Sequence, residues 1–110
     1  MEKIYNKNNI HAEYSGEQSK EAAEKADEIF AMFAAFRHLS PNDAHSFELV
    51  KIWQKHINKY YYECPDEILG VLGQLYVSEP DFINNVDRFG VGTAKYMGES
   101  ILEYCKSKDI

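Results

Sequence analysis

The stretch from residue 61 to residue 82, YYECPDEILGVLGQLYVSEPDF, predicts the helix around which the other helices pack. Pro65 and Pro80 mark two helix starts, because proline is favoured in the first turn, where its missing N–H leaves no hydrogen bond unmade. Gly70 and Gly73 lie inside the first of these helices. A glycine inside a helix costs about 1 kcal/mol relative to alanine, so this pair predicts the close approach of another helix or a ligand. The apolar positions expected to face inward are Ile68, Leu72, Leu75 and Tyr76.

Amphipathic patterns on both sides of this stretch predict three further helices. The first runs from residue 15 to about residue 38. Its inward positions, at steps of three and four, are Ala22, Ala26, Ile29, Phe33 and Phe36. The second starts with Ser40 as its cap and Pro41 in its first turn, and it ends near residue 60. The short helix from Pro80 ends at Gly90 and Gly92, and the last helix covers about residues 92–106. We expect a compact all-α domain of five helices over residues 15–110, after a polar, flexible lead-in over residues 1–14.

Length and charge narrow the class of protein. A chain of 110 residues with 45% apolar residues is expected to form one domain with a real core. The net charge of −6 argues against nucleic-acid binding by this segment, which would need a basic face. No run approaches the roughly 20 apolar residues of a membrane span, and no signal peptide is recognisable. Cys64 and Cys105 lie far apart in the sequence and fit a reduced, cytoplasmic setting.

No pattern of catalytic or metal-binding residues stands out. None of the four histidines, His11, His38, His45 and His56, lies four residues from another, as two ligands on one helical face would. The carboxylates fall on polar faces or in first turns of helices, where they complement the positive helix end. The segment around Val91 is too short for a dinucleotide-binding loop. We therefore expect no enzyme activity, no metal and no cofactor.

Aromatic side chains are the strongest candidate for function. Tyr60, Tyr61 and Tyr62 are adjacent, and a helix turns by about 100° per residue, so they cannot all face one core. At least one is expected to be exposed or to point into a pocket. Glycines opposite aromatic rings suggest a cleft for a flat or polycyclic ligand, since ligand pockets are mostly apolar with a few polar groups. The alternative is that most of these rings are ordinary core residues.

The residues from Tyr62 to Ile101 carry a resemblance to a known family. The matching positions are Tyr62-Glu63-Cys64, Leu72-Gly73-Gln74-Leu75-Tyr76-Val77-Ser78, Asp81-Phe82, Asn85, Asp87, Gly92, Ala94, Tyr96, Met97 and Ile101. Upstream, the matching positions are Tyr14-Ser15, Glu17, Ala26-Asp27-Glu28-Ile29 and Phe33. With these motifs the chain resembles the TipAS antibiotic-recognition domain, over nearly all of its length from Tyr14.

The resemblance implies a globin-like helical domain that binds bulky antibiotics, notably thiopeptides, in a deep cleft. Such domains are usually the C-terminal effector part of MerR-type transcriptional activators, coupled through a long dimerising helix to a winged helix-turn-helix. Shorter forms sequester the drug. This sequence has neither the helix-turn-helix nor the coiled coil, and residues 1–14 look like a shortened remnant of the segment that closes over the ligand. Val71 stands where some members carry a second cysteine.

We combine the aromatic pattern and the resemblance into one set of expected ligand-binding residues. They are Phe33, Trp53, His56, Tyr61, Tyr62, Cys64, Leu72, Gly73, Tyr76, Phe82, Tyr96 and Met97. Trp53 is expected to be buried near the cleft, and Cys64 to lie at its rim and to bind reversibly rather than covalently. The first function hypothesis is an antibiotic-sensing effector domain of a MerR-type activator. The alternatives are a stand-alone drug-sequestering protein and a helical protein-interaction module, and a homodimer is compatible with all three.

Overall fold

The computed structural model describes residues 16–108, which form five α-helices and, within that range, no strand. The helices are α1 (Gly16–Ala35), α2 (Ala44–Tyr60), α3 (Asp66–Ser78), α4 (Pro80–Asp87) and α5 (Thr93–Ser107). The predicted all-α, five-helix architecture is therefore confirmed. The predicted lead-in over residues 1–14, and the expected helix start at Ser15, lie outside the described residues. None of the helices in the described range is long and apolar enough to cross a membrane.

The start of α2 differs from the prediction. Asp43, rather than Ser40, caps the helix, because its carboxylate accepts a hydrogen bond from the backbone N–H of His45 at 2.8 Å. The Ser40 hydroxyl instead donates to the side chain of Asn42 at 2.6 Å, within the turn before the helix. The first helix also ends at Ala35, earlier than expected. Phe36 consequently lies outside α1 and is 39% exposed, so its predicted inward position is wrong.

Glycines explain how closely α3 and α5 pack. A Cβ atom on Gly73 would lie 2.8 Å from Cγ2 of Ile101, and one on Gly98 would lie 2.7 Å from the backbone oxygen of Gly73. Both distances are too short for a real side chain, so the two helices cross at a point where each has a glycine. The close approach predicted for Gly73 is thus made by a helix. Gly70 has no such role, since its Cβ would meet only the sulfur of Cys105, at 4.0 Å.

This crossing also sets the rotation of α3 about its axis. The buried residues of α3 are Leu69, Gly73 and Tyr76. Ile68 was predicted to face inward, but it is 36% exposed. With Gly73 facing α5, Tyr76 is buried as expected, whereas Leu72 and Leu75 are only half-buried. Leu69 takes the place of Ile68 in the core.

The core lies between α1, α2, α3 and α5, and α4 adds Val86 to it. Phe33, Val50, Met97 and Ile101 are fully buried there. One buried polar contact accompanies them: the hydroxyls of Ser46 and Tyr96 are 2.5 Å apart. Because Ser46 also donates to the backbone oxygen of Ser40 at 2.8 Å, the shared proton comes from Tyr96. This network ties α2 to α5.

Candidate functional site

An open cleft of about 440 Å³ lies between α1, α2, α3 and α4. Most of its wall is aromatic or aliphatic, and a few polar side chains stand at its mouth. The lining residues are Ala23, Ala26, Asp27, Phe30, Trp53, Ile57, Tyr61, Tyr62, Leu72, Tyr76, Phe82, Asn85 and Arg88. This composition is that of a binding site for a largely apolar ligand with some polar groups.

Ring contacts hold the aromatic wall in place. The ring centroids of Phe30 and Trp53 are 5.1 Å apart, and Tyr76 meets Trp53 edge-on at 6.5 Å. Phe82 meets Tyr76 in a second edge-on contact at 5.3 Å. Such contacts contribute about 0.5–1.5 kcal/mol each beyond the area they bury. The wall is therefore largely formed before any ligand arrives.

The three adjacent tyrosines take different positions, as the sequence required. Tyr60 is the last residue of α2 and is buried, and its hydroxyl donates to a carboxylate oxygen of Glu21 at 2.6 Å. That hydrogen bond, together with burial, raises the pKa of Tyr60. Tyr61 and Tyr62 follow the helix and are half-buried in the wall of the cleft. The expectation that at least one tyrosine points into a pocket is confirmed.

The phenols of Tyr62 and Tyr76 stay neutral at physiological pH. Burial raises the pKa of Tyr76 and of Tyr62, because the ionised form would lose its hydration. For Tyr76, the nearby phenols of Tyr62 and Tyr61 act in the same direction. These side chains can therefore serve as hydrogen-bond donors and acceptors within an apolar wall.

An ion pair spans the mouth of the cleft. A guanidinium nitrogen of Arg88 lies 3.0 Å from a carboxylate oxygen of Asp27, and both side chains are 49% exposed. Arg88 also donates to the backbone oxygen of Asn85 at 2.6 Å, and its guanidinium carbon lies 4.8 Å from the ring centroid of Phe89. Since an exposed pair contributes little to stability, it can open or exchange partners at low cost. It is the charged edge of an otherwise apolar cleft.

The structure brings together six of the twelve expected site residues. Those lining the cleft are Trp53, Tyr61, Tyr62, Leu72, Tyr76 and Phe82. Trp53 is 5% exposed, so the expectation of a buried tryptophan near the cleft holds.

The other six lie elsewhere in the molecule. Phe33 and Met97 are fully buried in the core, and the hydroxyl of Tyr96 is hydrogen-bonded to that of Ser46. Gly73 packs against α5, and His56 lies in a separate groove between α1 and α2. These residues support the fold rather than the cleft wall.

Cys64, the sixth of these, was expected at the rim of the cleft, and that expectation is wrong. It is 1% exposed and does not line the cleft. Its backbone N–H donates to the side chain of Asn58 at 2.7 Å, and its carbonyl accepts from Gln54 at 2.8 Å, so two residues of α2 hold it inward. Burial, aided by the negative charge of Asp66, raises the pKa of its thiol to about 11.

Sequence reasoning missed the polar edge of the cleft and the face of α1 that forms one wall. The missed residues are Ala23, Ala26, Asp27, Phe30, Ile57, Asn85 and Arg88. The four from α1 follow helical spacing, and Ala26 was expected to face inward, but this face was not expected to line the cleft. Arg88 could not have been recognised, because its partner Asp27 is 61 residues away. Within residues 16–108, no group of three or more His, Cys, Asp or Glu side chains is placed to hold a metal ion.

A helical domain with an open aromatic cleft and a charged mouth belongs to the class of small ligand-binding domains. Comparison with known families identifies it further, because the family model for the TipAS antibiotic-recognition domain matches residues 2–104. The chain belongs to this family. The matched range begins twelve residues upstream of Tyr14, where the sequence resemblance was placed to start.

Curated relatives are transcriptional activators. The chain is 28% identical over 96 residues to the HTH-type transcriptional activator mta of Bacillus subtilis, which is 87% of this chain and 37% of that protein. It is 30% identical over 93 residues to the HTH-type transcriptional activator TipA of Streptomyces coelicolor, covering 83% of this chain and 37% of that protein. The chain thus spans somewhat over a third of the length of these relatives.

A solved structure shares the fold. TipAS from Streptomyces lividans, determined in complex with the thiopeptide antibiotic nosiheptide, superposes with a TM-score of 0.87. The likeness covers all of this chain and 78% of that one, at 23% sequence identity. The fold implied by the sequence resemblance is therefore confirmed.

Proposed function

We propose that this chain is an antibiotic-sensing domain that binds a bulky, largely apolar drug of the thiopeptide class in the aromatic cleft. The observation that carries the proposal is the wall of six aromatic rings around a cavity of about 440 Å³, with the pair of Asp27 and Arg88 at its mouth. Nosiheptide bound to TipAS supports the choice of ligand class.

Binding in this cleft would be driven mainly by apolar burial against rings that are already positioned. Preorganised rings reduce the ordering that association otherwise costs. Orientation would come from polar groups: the hydroxyls of Tyr61 and Tyr62, and the ion pair at the mouth. Trp53 adds a further group, because its buried indole N–H has no hydrogen-bond partner within residues 16–108. A carbonyl-rich ligand such as a peptide-derived antibiotic would offer it an acceptor.

The proposal extends to the context of the domain. We place it as the effector part of a MerR-type transcriptional activator in the cytoplasm, because the matched relatives are HTH-type activators. DNA would then be contacted only by a separate helix-turn-helix, since this segment carries a net charge of −6. A stand-alone drug-sequestering protein would use the same cleft without that segment. A helical interaction module is the rival from another class, and it predicts no affinity for the drug.

Calorimetric titration with nosiheptide tests the proposal, with two phenylalanine variants as a matched pair. Phe82 lines the cleft, whereas Phe36 is outside it, 39% exposed and stacked on His45 at 6.3 Å. Phe82→Ala should weaken binding about tenfold or more, and Phe36→Ala should leave it within about twofold. Trp53, the only tryptophan, should change its fluorescence as the site fills.

Three results would count against the proposal. Absence of binding by nosiheptide and by related thiopeptides would favour the interaction module. Equal affinity of the Phe82→Ala and Phe36→Ala variants would remove the ligand from this cleft. An unchanged tryptophan spectrum at calorimetric saturation would remove Trp53 from the binding site.

A further inference from the structure

A second groove, of about 310 Å³, lies between α1 and α2 on the other side of their contact. Its lining residues are Lys25, Glu28, Ile29, Met32, Ile52, Lys55, His56, Lys59 and Tyr60. No residue lines both this groove and the aromatic cleft. A site here would therefore be distinct from the one that carries the proposed function.

The groove is positively charged on a chain whose net charge is −6. Lys25, Lys55 and Lys59 line it together with one carboxylate, Glu28. A second carboxylate, that of Glu21, is held at its edge by the hydroxyl of Tyr60 at 2.6 Å. None of these three lysines forms an ion pair with another residue in the described range 16–108. Two lysines on the same helices do pair: Lys20 lies 4.0 Å from Glu24, and Lys51 lies 3.2 Å from Glu48. The Nζ atom of Lys59 contacts the ring of Tyr60, at 5.1 Å from its centroid. Ammonium groups without a carboxylate partner are thus concentrated at the groove.

His56 supplies a buried polar atom at the inner side of this groove. It is 6% exposed, and its Nε2 atom has no hydrogen-bond partner within the described residues. Burial, and then the charges of Lys25 and Lys59, lower the pKa of His56, so these lysines act on its ring. A buried nitrogen without a partner costs about 1–3 kcal/mol. In the tautomer protonated at Nε2, an acceptor that enters the groove would satisfy this N–H group. A negative charge on that acceptor would also offset the lysines.

The remaining lining is apolar. Ile29 and Met32 of α1 face Ile52 of α2, and Ile52 is 41% exposed although its side chain is aliphatic. A fully polar anion would leave Ile52 in water. The groove therefore matches a ligand with two parts, an anionic head and an apolar body.

We propose that this groove is a second binding site, specific for a small organic anion such as a carboxylate or sulfonate on an apolar body. The head lies between Lys25 and Lys59, within reach of His56, and the body covers Ile29, Met32 and Ile52. The three lysines select the charge, the histidine nitrogen offers a hydrogen bond, and the aliphatic side chains select the body.

The test uses 2-naphthalenesulfonate as the probe and 2-naphthalenesulfonamide as its neutral counterpart of equal shape. Chemical-shift changes in two-dimensional NMR spectra locate the bound probe and give its affinity. We expect the sulfonate to shift residues around Ile29, Met32, Ile52 and His56, and the sulfonamide to bind at least about fivefold more weakly there. The double variant Lys25→Gln/Lys59→Gln should weaken the sulfonate about tenfold. The control, Lys20→Gln/Lys51→Gln, removes the same charge from the same helices outside the groove and should change the affinity by less than about twofold.

Each remaining outcome overturns the proposal. Shifts centred on Phe30 and Phe82 would place the probe in the aromatic cleft. Equal binding of sulfonate and sulfonamide would reduce the groove to an unspecific apolar patch. Equal losses in the two double variants would reduce the effect to the overall charge of the chain. Thermal unfolding of both double variants shows whether the fold is intact. If Lys25→Gln/Lys59→Gln unfolds, the Lys55→Gln variant removes one charge of the groove and takes its place in the affinity measurement.

Discussion

The two glycines of α3 should respond in opposite directions to the same substitution. Gly70→Ala adds a methyl group whose only neighbour is the sulfur of Cys105, at 4.0 Å. Gly73→Ala adds one at 2.8 Å from Cγ2 of Ile101 and 3.2 Å from the backbone oxygen of Gly98. Both changes gain the same intrinsic helix propensity, up to about 1 kcal/mol. The difference between the two variants therefore isolates the cost of overpacking.

That difference can be given a magnitude. Forcing an extra carbon into a filled contact costs about 1–3 kcal/mol, and a backbone oxygen cannot move aside as a flexible side chain does. We expect Gly70→Ala to raise the free energy of unfolding by roughly 0.5–1 kcal/mol. Gly73→Ala should lie about 1–3 kcal/mol below it. In a domain of this size each kcal/mol corresponds to about 4–8 °C in melting temperature.

Urea denaturation followed by circular dichroism at 222 nm measures both variants on one scale. The helical signal reports all five helices, and two-state behaviour is checked by the agreement of thermal and chemical transitions. If the two variants unfold within about 0.5 kcal/mol of each other, the close crossing of α3 and α5 does not constrain this position and the steric reasoning is refuted. The Gly73→Leu variant, which adds a far larger side chain at the same point, should then fold normally as well.

Two further predictions concern single residues. Cys64→Ser should keep most of the affinity for a thiopeptide, and the unsubstituted protein should show no adduct by intact-mass measurement. A thiol with a pKa of about 11 is ionised to only about 1 part in 10,000 at neutral pH. A stable mass increase of one drug that disappears in Cys64→Ser would make this thiol the capture residue. Asp43→Ala should lower the melting temperature at pH 7, because it removes the cap of α2. The hydrogen bonds from His45 hold the pKa of Asp43 below its ordinary value of 3.8. The stability that the charged cap contributes is therefore present above that pH and is lost as the pH falls further. A difference in melting temperature between the variant and the unsubstituted protein that stays constant down to pH 2 would contradict this.

The helices could be predicted from the sequence because each rests on local signals. The local signals are the apolar spacing of α1, α2 and α5 and the prolines at the starts of α3 and α4, and each is read within a few residues. The aromatic side of the cleft followed from the same local evidence, since three adjacent tyrosines cannot share one face. Local signals also placed Gly73 at a close contact, although they could not say with what.

Contacts between distant residues account for what the sequence did not reveal. The rotation of α3 depends on Gly98, and the charged mouth of the cleft depends on Arg88 reaching Asp27 across 61 positions. The burial of Cys64 depends on Gln54 and Asn58 of the preceding helix, which draw its backbone inward. None of these pairings has a spacing that a helical pattern would indicate.

The glycine crossing has a mechanical consequence for the cleft. At the crossing, the backbones of α3 and α5 are too close to slide or tilt without collision, so these two helices should behave as one stiff body. The facing edge of the cleft is closed by one exposed ion pair, between Asp27 of α1 and Arg88 after α4, which yields readily. The domain is therefore unevenly stiff: the pair of α3 and α5 is rigid, whereas the edge of the cleft formed by Asp27 and Arg88 can move. Whatever a bound molecule displaces, the displacement should appear as movement of α1 and should leave α3 and α5 in register.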